Sequence, residues 1–215
     1  MPSCHAHLPP LDLERLSAVS VLHGEHRIIL RLLDCLDLMA ERAAKAHAMP
    51  VLEARDVIVV LRGFADECHH AKEERILFPT LERLAPEFGP VQVMRHEHDL
   101  GRDHVRGMAI AVDAVDVAGF VQDAQAFSGL LRQHIDKENE VLFPMAQAML
   151  SPEDDATILK AYREAGRERP CGPLLDRADT LANTYGFVSF GESPDYTPRH
   201  ALCGCGSGSG SGVCR

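Results

Sequence analysis

The stretch HHAKEERILFP, His69 to Pro79, returns later in the chain as HIDKENEVLFP, His134 to Pro144. In register, the two share His69/His134, Lys72/Lys137, Glu73/Glu138 and a closing Leu-Phe-Pro. A second pair of echoes lies ahead of each: Glu25-His26 and Glu97-His98. The order along the chain is therefore His, His-x-x-x-Glu, His, His-x-x-x-Glu.

Hydrophobic periodicity places these residues on helices. Val19, Leu22, His26, Ile29 and Leu33 fall on one face of a helix over about 13–47, which the sequence AMP at 48–50 ends. Ile58, Leu61, Ala65, His69, Glu73 and Ile76 share a face over about 52–84, and Pro79 is expected to kink that helix or end it at Phe78. Val91, Met94, His98, Val105 and Ala109 line a third helix over about 91–112. Phe127, Leu131, His134, Glu138 and Val141 line a fourth over about 115–150. Four long amphipathic helices with short loops read as an all-α, up-down antiparallel four-helix bundle. Ser151-Pro152 forms an N-cap and first-turn pair opening a helix over about 153–167, and a short helix is possible over about 174–185. The expected division is a bundle over 12–150, a helical extension over 151–190 and a flexible Gly/Ser/Cys tail over 191–215.

Composition bounds the function. The 215 residues are 46% hydrophobic and 25% charged, with no tryptophan, as in a globular chain of good helix formers. A formal charge of −10 argues against nonspecific nucleic-acid binding. No apolar run approaches a membrane span, and the N-terminus lacks the pattern of a signal peptide, so no membrane association and a cytoplasmic location are expected. The seven cysteines form no zinc-type pair and are expected as thiols in a reducing compartment.

The spacing itself suggests a metal. Residues i and i+4 on a helix lie on one face, about 5–6 Å apart, so each His-x-x-x-Glu can meet an ion with both side chains. Each of these histidines sits within an apolar stripe, which carries the glutamates into the interior as well. A buried carboxylate is costly unless it is paired or binds a cation. Four imidazoles and two bridging carboxylates would give two divalent ions two nitrogens and two oxygens each. A bridging oxo or hydroxo group would complete five ligands and leave one open position per ion. Mixed imidazole and carboxylate ligation suits iron, with manganese or zinc as alternatives.

The segments GEHRIILRLL, HHAKEERILFP, RHEHDLGRDH and HIDKENEVLFP resemble the hemerythrin-like, HHE cation-binding family over about residues 15–150. The resemblance implies a four-helix bundle holding a non-haem di-iron centre. Its implied metal ligands are His26, His69, Glu73, His98, His134 and Glu138, with both glutamates bridging. The chain departs from the oxygen-carrying members in two places. Arg102 stands where they have a further His, and His134-x-x-x-Glu138 replaces their His-x-x-x-x-Asp. Fewer nitrogens leave both ions open, which fits the branch associated with responses to oxygen, nitric oxide or peroxide and with iron handling better than reversible oxygen storage.

The expected function is a di-iron protein that binds or responds to O2, NO or peroxide, or handles iron, in a stress response. It reads as a metal-binding or sensor protein rather than a dedicated enzyme. The competing readings are a di-iron oxidoreductase degrading peroxide or NO and a structural metal-binding interaction protein. A ferritin-like carboxylate site is disfavoured because only Glu67-x-x-His70 gives its Glu-x-x-His spacing. Other residues have lesser roles. His70, aligned with Ile135, is placed at the edge of the site or on the surface. His23 is an outer support or alternative ligand, and His96 and His104 are surface residues. Glu74, aligned with Asn139, is a weaker candidate than Glu73. Arg102 either pairs with a site carboxylate or points outward. Cys35 is assigned to the core and Cys68 to packing beside His69. The tail cysteines Cys203, Cys205 and Cys214, with Cys4-His5-Ala6-His7, are assigned to disorder, with a redox or metal relay as the alternative.

Overall fold

A computed structural model of the chain describes residues 16–87 and 89–187. The N-terminal lead-in and the tail, with Cys4, His5, His7, Cys203, Cys205 and Cys214, lie outside the described residues. Within them the fold is all-helical, with six helices and no strand. These are α1 (Ala18–Ala46), α2 (residues 51–84), α3 (Gly89–Ala114), α4 (residues 117–149), α5 (Pro152–Glu168) and α6 (Gly172–Thr184). Helix α4 packs against α1 and α3, and α2 against α3 and α1. Helix α6 crosses α2 and α1, while α5 lies along α1 and the second half of α2.

Local chemistry sets the helix ends. Ser17 caps α1 through a reciprocal pair of hydrogen bonds with Ser20, so the helix begins at Ala18. His47 closes α1 in the left-handed conformation, with φ 49°. The Asp116 side chain accepts from the Gly119 N–H and starts α4. Ser151 and Asp154 form the capping box of α5, with Pro152 in its first turn, as the Ser-Pro pair predicts. Asp155 Oδ1 accepts the Ala18 N–H at 2.8 Å, tying the start of α5 to the start of α1. The α2–α6 crossing is close: a Cβ on Gly63 would stand 2.7 Å from Leu174 Cδ1.

The prolines of the two Leu-Phe-Pro segments do not end their helices. In both, a wide π-type turn precedes the proline: Phe78 N–H bonds Glu73 O, and Phe143 N–H bonds Glu138 O, five residues back. Proline lacks an N–H and its ring crowds the carbonyl four residues earlier. The extra residue in the turn accommodates that ring, and α2 continues to Leu84 and α4 to Met149. The same turn corrects the expected stripe. Val141 is exposed and Leu142 is buried, while Ile76 is half-buried and Leu77 is fully buried. Widening moves the inward position after each glutamate from i+3 to i+4.

Candidate metal centre

Four helices each deliver a histidine to one buried locus. His26 comes from α1, His69 from α2, His98 from α3 and His134 from α4, each no more than 1% exposed, with Glu73 and Glu138 fully buried among them. The Nε2 atoms face inward in two pairs. His26 Nε2 and His69 Nε2 lie 3.1 Å apart, as do His98 Nε2 and His134 Nε2. Glu73 presents Oε1 to His69 Nε2 at 3.5 Å and Oε2 to His98 Nε2 at 3.4 Å. Glu138 presents Oε2 to His26 Nε2 at 3.1 Å and Oε1 to His134 Nε2 at 3.4 Å. Each carboxylate thus spans both histidine pairs with different oxygens.

The outward ring nitrogens explain the rest of the repeated motif. His69 Nδ1 donates to Glu25 Oε2 and His134 Nδ1 to Glu97 Oε2, both at 3.0 Å. Lys72 and Lys137, the shared lysines of the two segments, bond those same glutamates. His26 Nδ1 donates to Asn139 Oδ1 and His98 Nδ1 to Glu74 Oε1, both at 2.8 Å. Asn139 and Glu74 hold equivalent positions in the two segments. Each Glu-His dipeptide therefore offers its histidine inward and its glutamate to the imidazole of the following helix. Where the pseudo-symmetry places charged Glu74 opposite neutral Asn139, Arg102 compensates, bonding Glu74 at 2.7 Å and Asp66 at 2.8 Å.

This donor set fits a cation. All four Nδ1 atoms meet oxygen acceptors, which places a proton on each and leaves Nε2 as the nitrogen that would face a cation. The four glutamate oxygens are buried without a hydrogen-bond partner. Burial, then the charge of Glu138, pushes the Glu73 carboxyl well above its ordinary range, so the two carboxylates do not readily share the site unaided. Burial also drives His69 and His98 down to about 3, leaving neutral imidazoles suited to ligation. Burial works against charge at His134 too, but Glu138 and Glu97 outweigh it and raise this residue to about 9. A cation would displace that proton.

Among the described residues, two groupings of side chains offer donor atoms within 4.8 Å of one another: His26, His69, Glu73 and Glu138, and His70, Glu73, His98 and His134. His70 lies at the edge of the site, and its burial excludes the surface alternative. It is buried, stacks on His98 at a centroid separation of 3.8 Å, and neither of its ring nitrogens has a hydrogen-bond partner. Asp66, the nearest carboxylate, stands 3.6 Å from Nδ1. The signal was available in Ile135: an apolar residue at the equivalent position marks the position as inward, and Ile135 is itself buried. His70 also lines a cavity of about 190 Å³ together with Ala65, Gly101, Arg102, Val105 and Phe127.

Other expectations divide. His23 is half-buried, edge-on to Phe143 at 5.0 Å, and belongs to neither grouping. His96 is exposed, whereas His104 is half-buried and bonds Asp123 at 3.0 Å. Cys35 is in the core. The Leu-Phe-Pro phenylalanines serve the site directly: Phe143 stacks on His26 at 5.3 Å and Phe78 on His98 at 5.9 Å. Tyr162 of α5 is buried with an unpartnered hydroxyl, and burial followed by the charge of Glu73 raises its phenol well above 10.

The model of the hemerythrin HHE cation-binding domain matches residues 17–146. The chain belongs to this family. Among curated relatives of this hemerythrin-family chain, iron–sulfur cluster repair proteins named YtfE stand out. The Edwardsiella ictaluri protein is 31% identical over 64% of the chain and 66% of its own length. The one from Pectobacterium carotovorum is 34% identical over 58% of the chain and 60% of its own length. An uncharacterized protein of Mycobacterium tuberculosis is 23% identical over 69% of the chain and 60% of its own length. The chain thus spans about 60% of the length of the first of the curated relatives it matches. No solved structure matches it significantly. Among the described residues, no helix is long and apolar enough to cross a membrane.

Proposed function

We propose that this hemerythrin-family protein holds two iron ions between α1, α2, α3 and α4 and uses them to bind or respond to O2, NO or peroxide. The observation that carries the reading is the convergence of four inward Nε2 atoms on two carboxylates whose oxygens lack other partners. In this reading α1 to α4 form an up-down bundle, with α5 and α6 as an appended helical unit. His26, His69, His98 and His134, with Glu73 and Glu138 between the two histidine pairs, would hold the ions. His70 would offer a third nitrogen beside His98 and His134, which would make the two positions unequal.

Bound iron would supply redox chemistry and an attachment point for a diatomic molecule or a peroxide. The rest falls to the chain. Glu25, Glu97, Glu74 and Asn139 fix the imidazoles in one tautomer and orientation. Phe78 and Phe143 wall the site against water by stacking on His98 and His26. The cavity lined by Ala65, Val105 and Phe127 leads a small, weakly polar molecule to His70. Arg102, held by Asp66 and Glu74, stands in its wall as a fixed positive charge.

Titrating the anaerobically reduced, iron-loaded protein with NO, O2 and peroxide tests this reading. A stoichiometric change in the visible spectrum with at least one of the three, without sustained turnover, is expected. Silence toward all three would overturn it, and many turnovers per site would make the protein an oxidoreductase. The relatives named as iron–sulfur cluster repair proteins favour a second reading, in which the same irons are delivered to damaged clusters. Iron transfer to an apo-cluster acceptor separates that reading from the first.

A further inference from the structure

Cys68 of α2 and Cys171, the residue before α6, bring their sulfur atoms within 3.0 Å of each other. Both are buried and neither is joined in a disulfide. Elsewhere α2 and α6 meet through the Gly63–Leu174 approach, so the two sulfurs lie across an established helix crossing. An S–S bond of about 2.05 Å requires them to close by only about 1 Å. Beside them a cavity of about 70 Å³ opens between α2 and α5, lined by Cys68, Lys72, Ala165 and Gly166 and rimmed by exposed Glu67 and Arg169. That space is several times what one water needs, so it admits hydrogen peroxide. Lys72 Nζ, 3.3 Å from Cys68 Sγ, lines the same cavity as a hydrogen-bond donor.

We infer that Cys68 and Cys171 form a reversible dithiol–disulfide pair, oxidised by hydrogen peroxide, which locks the α5–α6 unit onto α2. In the first step, one thiol gives up its proton as its sulfur attacks the peroxide, the O–O bond breaks, the departing oxygen takes up a proton, and a sulfenic acid and one water form. In the second, the other thiol sulfur displaces the hydroxyl, the S–S bond forms, and a second water leaves. Two thiols and one peroxide give one disulfide and two waters. The sulfurs lose two electrons, which the peroxide oxygens gain, and both thiol protons end in water. Lys72 is placed to donate a hydrogen bond to the departing oxygen. The bond would span 103 residues of chain, so it restricts the unfolded state strongly. A dithiol reductant reverses it.

The test treats the full chain with hydrogen peroxide, then denatures and alkylates it without reductant, and maps the peptides. Alkylation of Cys68 and Cys171 is expected to fall at least tenfold, with one linked peptide pair that dithiothreitol dissolves, while Cys35 remains alkylated. The oxidised protein should melt several degrees higher than the reduced protein. In Cys171→Ser the pair is lost and Cys68 is captured as a sulfenic acid by dimedone. Unchanged alkylation of both cysteines, or Cys68 linked instead to another cysteine, would overturn the inference. Running the experiment on both iron-loaded and metal-depleted protein separates it from the metal reading, because the cross-link requires only the sulfurs and the oxidant.

Discussion

Glu25 Oε2 accepts the Nδ1 proton of His69 at 3.0 Å, and the same carboxylate is paired with Lys72, which is itself buried. The equivalent contact in the other half joins Glu97 to His134, but there Lys137 is 42% exposed. The two halves share a plan and differ in how much each depends on its charge pair.

That difference predicts separable phenotypes. Glu25→Gln and Glu97→Gln should each weaken metal binding by about 10–100-fold, because each loosens an imidazole from outside. Only Glu25→Gln leaves a buried ammonium unpaired, and it should also cost about 3–5 kcal/mol of stability. Chelator competition and urea denaturation read the two effects. Equal stability losses in both variants would contradict the assignment.

His70→Ile copies the residue that the other half carries at this position. If His70 supplies a third nitrogen to the His98/His134 ion, the variant should weaken one iron by about 10-fold or more and leave the other unchanged. A stoichiometric iron titration followed by Mössbauer spectroscopy resolves the two. Two unaltered irons would return His70 to a packing role.

Phe143 is fully buried and stacked on His26. Phe143→Ala should cost about 3–5 kcal/mol through the cavity it leaves. It should also raise the metal off-rate by freeing the His26 ring. Thermal unfolding and stopped-flow chelation measure these.

Acid should weaken the metal-free fold over a defined window. Burial alone would raise Glu74, but the hydrogen bonds from His98 and Arg102 prevail and hold it at about 2, below the ordinary 4.5. Glu97 is also held at about 2, chiefly by the hydrogen bond from His134 and, against burial, by Lys137. Both folded values lie below the unfolded one, so the stabilisation is complete above pH 4.5 and drains away as the pH falls toward 2. Urea midpoints at pH 6, 4 and 3 should fall in that order, with a shallower fall in Glu74→Gln. A flat profile would contradict it.

The sequence carried the helical class, most of each inward face and the meeting of six residues, because periodicity of three and four residues and a motif repeated in register are local signals. It did not carry the wide turns ahead of Pro79 and Pro144, since in α-helical geometry alone a proline inside a helix reads only as a kink or an end. That omission put Val141 inside, where Leu142 is found. The alignment of His70 with Ile135 left an edge-of-site place and a surface place open, and burial removes only the second. The roles of Glu25, Glu97 and the two lysines depend on which helices adjoin, and the sequence alone does not place neighbours. The Cys68–Cys171 proximity has the same origin, because it requires the path of α5 and α6 back across α2.

The most direct test of the account is the iron content of untagged protein, measured by mass spectrometry beside Glu73→Ala and Glu138→Ala. The account predicts about two irons per wild-type chain and loss of iron in both variants. Zinc alone in the wild type, no metal after iron reconstitution, or variants that keep both irons would contradict it.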